Sequence, residues 1–143
     1  MSIPDNWREL SDQGSVWFAP EGGYGSTSGQ VVYTHGVNVG STRSNSRSLQ
    51  QATNDFVSGL QQGNNNLRSR SGYQRTYIDG RSALSISLSN ANEATGRTEI
   101  INVATVQLRN GDLFYLITVA PESDYQNYQS AFQNILRSVQ FID

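Results

Sequence analysis

Apolar residues fall along this chain in two rhythms, and each marks a different kind of element. Leu49, Ala52, Phe56, Val57 and Leu60 recur at helical spacing and form one apolar stripe, which predicts a helix. Ser48 with Gln51 three residues on suits a capping box, and Gly63 suits the C-terminal stop. A second stripe of Tyr125, Tyr128, Phe132, Ile135, Leu136 and Val139 predicts a closing helix, with Ser123 and Gln126 as its capping box. Elsewhere the period is two. Leu84, Ile86 and Leu88 alternate with Ser85, Ser87 and Ser89, the pattern of a half-buried strand. Leu113, Tyr115, Ile117 and Val119 share one face while Phe114 and Leu116 occupy the other. A strand apolar on both sides should lie centrally, covered on both faces.

Turn residues divide the remaining strands. Trp7–Leu10 and Val16–Ala19 flank Ser11–Gly14 and read as a hairpin. The stretch from Gly22 to Gly29 has no periodic apolar signal and reads as a mobile loop. Gln30 to Val39 reads as one strand with Val31, Tyr33, His35, Val37 and Val39 on a single face. Asn64-Asn65-Asn66 forms a polar turn after the first helix. Asp79-Gly80 joins a strand over Arg70–Ile78 to one over Ala83–Ser89, and Asn110-Gly111 joins Ile100–Leu108 to Leu113–Val119. Gln140–Ile142 suits a short terminal strand. The order is strands, helix, four strands, helix, which makes an α+β antiparallel β-sheet flanked by two main helices. Neither a repeat nor a linker is visible, and the 143 residues suit one domain, 1–143.

The charge balance narrows the partners. A net charge of −2 lacks the basic stripe that nucleic-acid binding needs. All ten cationic side chains are arginines, and with no lysine there is no P-loop. The absence of cysteine removes disulfides, thiolate nucleophiles and cysteine-bound zinc together. No apolar run approaches the roughly 20 residues of a membrane helix, so no membrane insertion is expected.

Chemistry is sparse. A zinc-peptidase HExxH motif needs two histidines, whereas His35 is the only one. The acids are scattered, so no metal site is expected; Glu122 and Asp124 are expected to serve the positive end of the second helix. No GxSxG elbow is present, and Gly23-Tyr24-Gly25 lacks the third glycine of a dinucleotide loop. No catalytic residue is assigned. His35 reads either as a general base or ligand-orienting group, or as a strand histidine hydrogen-bonded beside the core. Arg43 and Arg47 flank a serine-rich loop and read either as an anion site or as solvated side chains. Trp7, Trp17 and Tyr24 read as an aromatic binding surface or, for the two tryptophans, as core. Tyr24, His35, Arg43 and Arg47 are the candidate binding residues.

Several short motifs carry a resemblance. Ile3-Pro4-Asp5-Asn6-Trp7-Arg8 and Phe18-Ala19-Pro20-Glu21-Gly22-Gly23 are similar to the start of a C-terminal domain in bacterial M48-type (Ste24-like) zinc peptidases. Thr34-His35-Gly36-Val37 resembles that domain's third-strand motif, and Gln51-Ala52-Thr53 with Leu60 its first helix. Val119-Ala120-Pro121-Glu122 with Tyr128, Ala131 and Phe132 resembles its second. The strand order also resembles the α/β/α sandwich shared by PsbP and Mog1. The resemblance implies a non-catalytic accessory domain excised from a larger peptidase, on the extracytoplasmic or periplasmic side of a bacterial membrane. It implies zinc only in the upstream peptidase domain and no cofactor in this chain. The partner would be the peptidase domain, a substrate segment or another protein. A stand-alone PsbP/Mog1-like extracytoplasmic binding protein is the alternative, and a small hydrolase using His35 with a nearby serine is a third reading.

Overall fold

The computed structural model describes residues 1–12, 15–20, 24–27, 30–33, 35–46, 48–93 and 96–142. Among these the elements run β1 (Trp7–Asp12), β2 (Ser15–Pro20), β3 (Tyr24–Thr27), β4 (Gln30–Tyr33), β5 (Gly36–Thr42) and α1 (Leu49–Gly63). They continue as β6 (Leu67–Ser69), β7 (Gln74–Ile78), β8 (Arg81–Asn92), β9 (Arg97–Gln107), β10 (Leu113–Pro121) and α2 (Tyr125–Arg137), with a 3-10 turn over Glu122–Asp124. The main sheet is antiparallel, in the order β1-β2-β5-β10-β9-β8-β6, with β7 also paired to β8. A separate two-stranded sheet joins β3 to β4.

β10 lies between β5 and β9, as its two apolar faces require. On one side Phe114, Leu116 and Ala120 meet Phe132, Ile135 and Val139 from α2 and its C-terminal flank. On the other, Ile117 joins Val103, Ile86 and Leu88 under Val57 of α1. The helices therefore cover opposite faces. Helix α1 is also tied down by a polar contact: the Thr53 and Thr105 hydroxyls lie 2.8 Å apart, both fully buried, and Thr53 Oγ1 donates to Leu49 O at 2.6 Å. Thr53→Val leaves the Thr105 hydroxyl stranded and is expected to cost about 1–3 kcal/mol. Thr105→Val keeps the Thr53 bond to Leu49 and should cost less. The double valine variant should cost less than the sum, and urea denaturation of all three variants reads the coupling.

The helix α1 cap is as expected, with Ser48 Oγ accepting from Gln51 N at 3.1 Å. Its end differs. Gly63 is its last residue, and Asn64 closes the helix in extended conformation with Nδ2 donating to Leu60 O at 2.9 Å, so no left-handed glycine is used. The Ser123–Gln126 capping box is not formed either: Ser123 lies in the 3-10 turn, and α2 starts at Tyr125. Asp79 (φ 51°) and Gly80 (φ 74°) form the expected left-handed turn pair, and Gly111 (φ 94°) lies in the expected turn between β9 and β10.

Four expectations about strands and loops are corrected. The run from Gln30 to Val39 is split into β4, which pairs with β3, and β5, which enters the main sheet, with the chain bending at His35. The expected loop from Gly22 to Gly29 contains β3, because pairing with β4 imposes a strand where side-chain pattern signals none; Gly22, Gly23, Ser28 and Gly29 lie outside the described residues. The strand over Arg70–Ile78 begins only at Gln74, while Leu67–Ser69 forms an additional strand against Leu88–Asn90. Gln140–Ile142 makes no strand. Phe141 instead packs edge-on against Phe114 at 4.9 Å, beneath the Arg81 guanidinium.

Candidate functional site

His35 and Arg43 lie just beyond opposite ends of β5, about 25 Å apart at a rise of ~3.3 Å per residue, so they build no common site. Arg43 is exposed beside Ser44, Asp55 and Leu113 on the rim of a surface hollow of about 480 Å³. Tyr24 is described only by its β3 backbone, and Arg47 lies outside the described residues. Trp7 packs on Tyr128 and Phe132, with centroids at 6.3 and 6.2 Å, so its reading as core holds.

His35 has a partner that its sequence neighbourhood does not reveal. Its Nε2 lies 3.2 Å from Asp124 Oδ2, and its ring centroid is 4.7 Å from that of Tyr128. Asp124 was expected to serve the positive end of α2. It sits at the N-cap but makes no capping hydrogen bond; one carboxylate oxygen meets His35 and the other accepts from Asn127 Nδ2 at 3.3 Å. The pair fastens the β4–β5 bend to the start of α2.

A more distinctive constellation lies on the α1 side of the sheet, where α1 stops short and exposes the strands beyond it. Pairing of β6 with β8 sets Leu67 opposite Asn90 and so carries the Asn64–Asn66 turn alongside Asn90 and Asn92. Pairing of β8 with β9 sets Asn90 opposite Glu99. These residues, with Glu93 and Trp17, line a cleft of about 640 Å³ floored by Ile101, Ile117 and Val119.

Glu99 is the centre of this cleft and is only 3% exposed. Its Oε2 accepts from Asn92 Nδ2 at 2.8 Å and its Oε1 from Asn90 Nδ2 at 3.2 Å. Among the described residues no cationic side chain pairs with it. Glu93 adds a second carboxylate, held by Asn66 Nδ2 at 3.2 Å. The C-terminus of α1 also faces this end of the sheet, with no basic residue in its last turn, so its partial negative charge adds to the two carboxylates. A buried carboxylate is ordinarily matched by a cation. Here the described polar side chains that line the cleft supply amide donors, one indole and negative charge. Among the described residues no three His, Cys, Asp or Glu side chains gather, so the set suits an organic cation better than a metal ion.

No protein-family model matches the chain, and no curated protein matches it. Solved structures do. PA94 from Pseudomonas aeruginosa is similar at a TM-score of 0.67 and 12% identity, over 100% of this chain and 91% of that one. CyanoP, the cyanobacterial PsbP of Synechocystis sp. PCC 6803, is similar at 0.56 and 13%, over 96% and 93%. The Saccharomyces cerevisiae Ran-binding protein Mog1p is similar at 0.53 and 11%, over 94% and 81%. The chain has the PsbP/Mog1-like fold. Identities this low establish the architecture and leave the ligand to the site itself. In this PsbP/Mog1-like domain no described helix is long and apolar enough to cross a membrane.

Proposed function

We propose that this domain is a non-catalytic binding module whose α1-side cleft takes an arginine- or lysine-bearing segment of a protein partner. The observation that carries this reading is Glu99, a buried carboxylate with two amide donors and no cationic partner among the described residues, beside an apolar floor suited to the stem of a long basic side chain. Mog1p, one of the similar structures, is itself a Ran-binding protein. The reading assigns no turnover to this chain.

The partner reading extends to the sequence motifs. Ile3–Arg8, Thr34–Val37 and Val119–Glu122 favour an accessory domain, residues 1–143, of an M48-type peptidase on the extracytoplasmic or periplasmic side, with zinc held upstream. An HExxH-bearing reading frame fused ahead of Met1 supports that assignment. A lone secreted gene supports a stand-alone binding protein instead.

Calorimetric titration with short peptides carrying one arginine or one lysine tests the cleft. Binding is expected to weaken at least about tenfold in Glu99→Gln, which keeps side-chain shape and removes the charge, a loss of roughly 1.4 kcal/mol. Raising the salt concentration should weaken the wild-type complex. Equal affinity for the arginine peptide and its glutamine counterpart would discard the proposal. Protein turnover that disappears in His35→Ala would replace it with the hydrolase reading.

A further inference from the structure

On the opposite face, α2 leaves the outer part of the sheet uncovered. A cross-strand row of polar side chains lies there: Ser87 on β8 faces Asn102 on β9, which faces Thr118 on β10. The next row, Ser85, Ala104 and Leu116, is mostly apolar. Tyr125 closes one end, its hydroxyl accepting from Asn102 Nδ2 at 2.5 Å, while Phe132 and Leu136 of α2 form the wall. The groove measures about 410 Å³.

Thr118 is the anomaly in this groove. It is 5% exposed, yet its hydroxyl finds no hydrogen-bond partner among the described residues. A buried polar atom without a partner is costly and uncommon in a folded protein. This one lines a groove whose other polar side chains, among the described residues, are hydroxyls and carboxamides, with no charged group among them. Arg70, outside the lining, donates from Nη1 to Ser87 Oγ at 2.9 Å.

We propose that this groove is a second binding site, separate from the Glu99 cleft, for an uncharged carbohydrate of one or two rings. Sugar hydroxyls both donate and accept, so they match Thr118, Asn102 and Ser87, whereas the C–H face of the ring packs on Phe132 and Leu136. The neutral described lining suits an uncharged ligand better than one bearing phosphate, carboxylate or ammonium groups, and the Arg70 guanidinium is already engaged by Ser87 at its edge. The volume lies in the range of small-ligand pockets, roughly 300–1,000 Å³, and accommodates one or two rings.

Saturation-transfer NMR on the whole chain with glucose, N-acetylglucosamine and maltose tests the site. At least one sugar should receive saturation, and Thr118→Val, which keeps the side-chain shape, should weaken its binding at least tenfold. Gln129→Trp, made on the exposed surface of α2 where it can fill the groove, should abolish binding while the circular dichroism stays unchanged. No transfer to any of the three sugars overturns the proposal. Equal binding by wild type and both variants also overturns it, as does displacement of the bound sugar by an uncharged serine–glutamine peptide that binds more tightly.

Discussion

Replacing Ile135 with alanine is expected to lower the unfolding free energy by about 3–5 kcal/mol, in the upper part of the range for large-to-small core changes. Ile135 has no solvent exposure and sits at the centre of the contact between α2 and the sheet, among Leu116, Phe132 and Val139. Leu116 belongs to the central strand β10, and Phe132 and Val139 are themselves buried, so the surroundings can collapse little into the space left behind. Leu136→Ala, one position on and only half-buried, should cost markedly less. Urea denaturation followed by circular dichroism distinguishes the two. A loss below about 1 kcal/mol for Ile135→Ala would mean that α2 is not seated as described.

Gly36→Ala is the second large effect. A Cβ at this position would lie 2.9 Å from the Phe18 carbonyl oxygen, with Ala19 Cβ at 3.4 Å behind it. The obstruction is backbone of the neighbouring strand, so relief requires β2 to move away from β5. The cost should reach about 3 kcal/mol, the upper end of ordinary overpacking. Gly40 makes a useful contrast, since a Cβ there meets the end of the Tyr115 side chain. That ring stacks on Phe56 at 4.7 Å but can rotate aside, so Gly40→Ala should disturb the Phe56 contact before it disturbs the strands. Thermal denaturation with tryptophan fluorescence separates these outcomes, because Trp17 flanks Gly36. Equal melting temperatures for Gly36→Ala and wild type would contradict the close approach of β2 to β5.

Local pattern carried the elements whose partners are nearby. The Leu49–Leu60 stripe with its Ser48 cap, the alternation in β8 and the two apolar faces of β10 all appear where periodicity puts them. The serines of that alternation have a further role: Ser85 and Ser87 point to the part of the sheet that α2 leaves open. What pattern could not show was the interruption near His35. Alternation continues through it, and only pairing with two different neighbours separates β4 from β5. The Glu99 cleft was hidden for a similar reason. The asparagines at 64–66 and at 90 and 92 are conspicuous in the sequence, as is a glutamate heading the apolar run Ile100–Val106, but strand register alone brings them together. His35 and Asp124 are likewise 89 residues apart and meet only through the packing of α2.

The way the main sheet ends also bears on how the protein behaves in concentrated solution. Exposed sheet rims invite strands from other molecules, and nature blunts them with short, interrupted or charged edge strands. Here β1, at one rim, is six residues long and carries Arg8 and Glu9. At the other, β8 is bordered not by one strand but by β6 and β7 in tandem, with residues 70–73 between them outside any strand. Among the described residues neither rim offers a long, uninterrupted apolar template, which works against open-ended stacking into fibres.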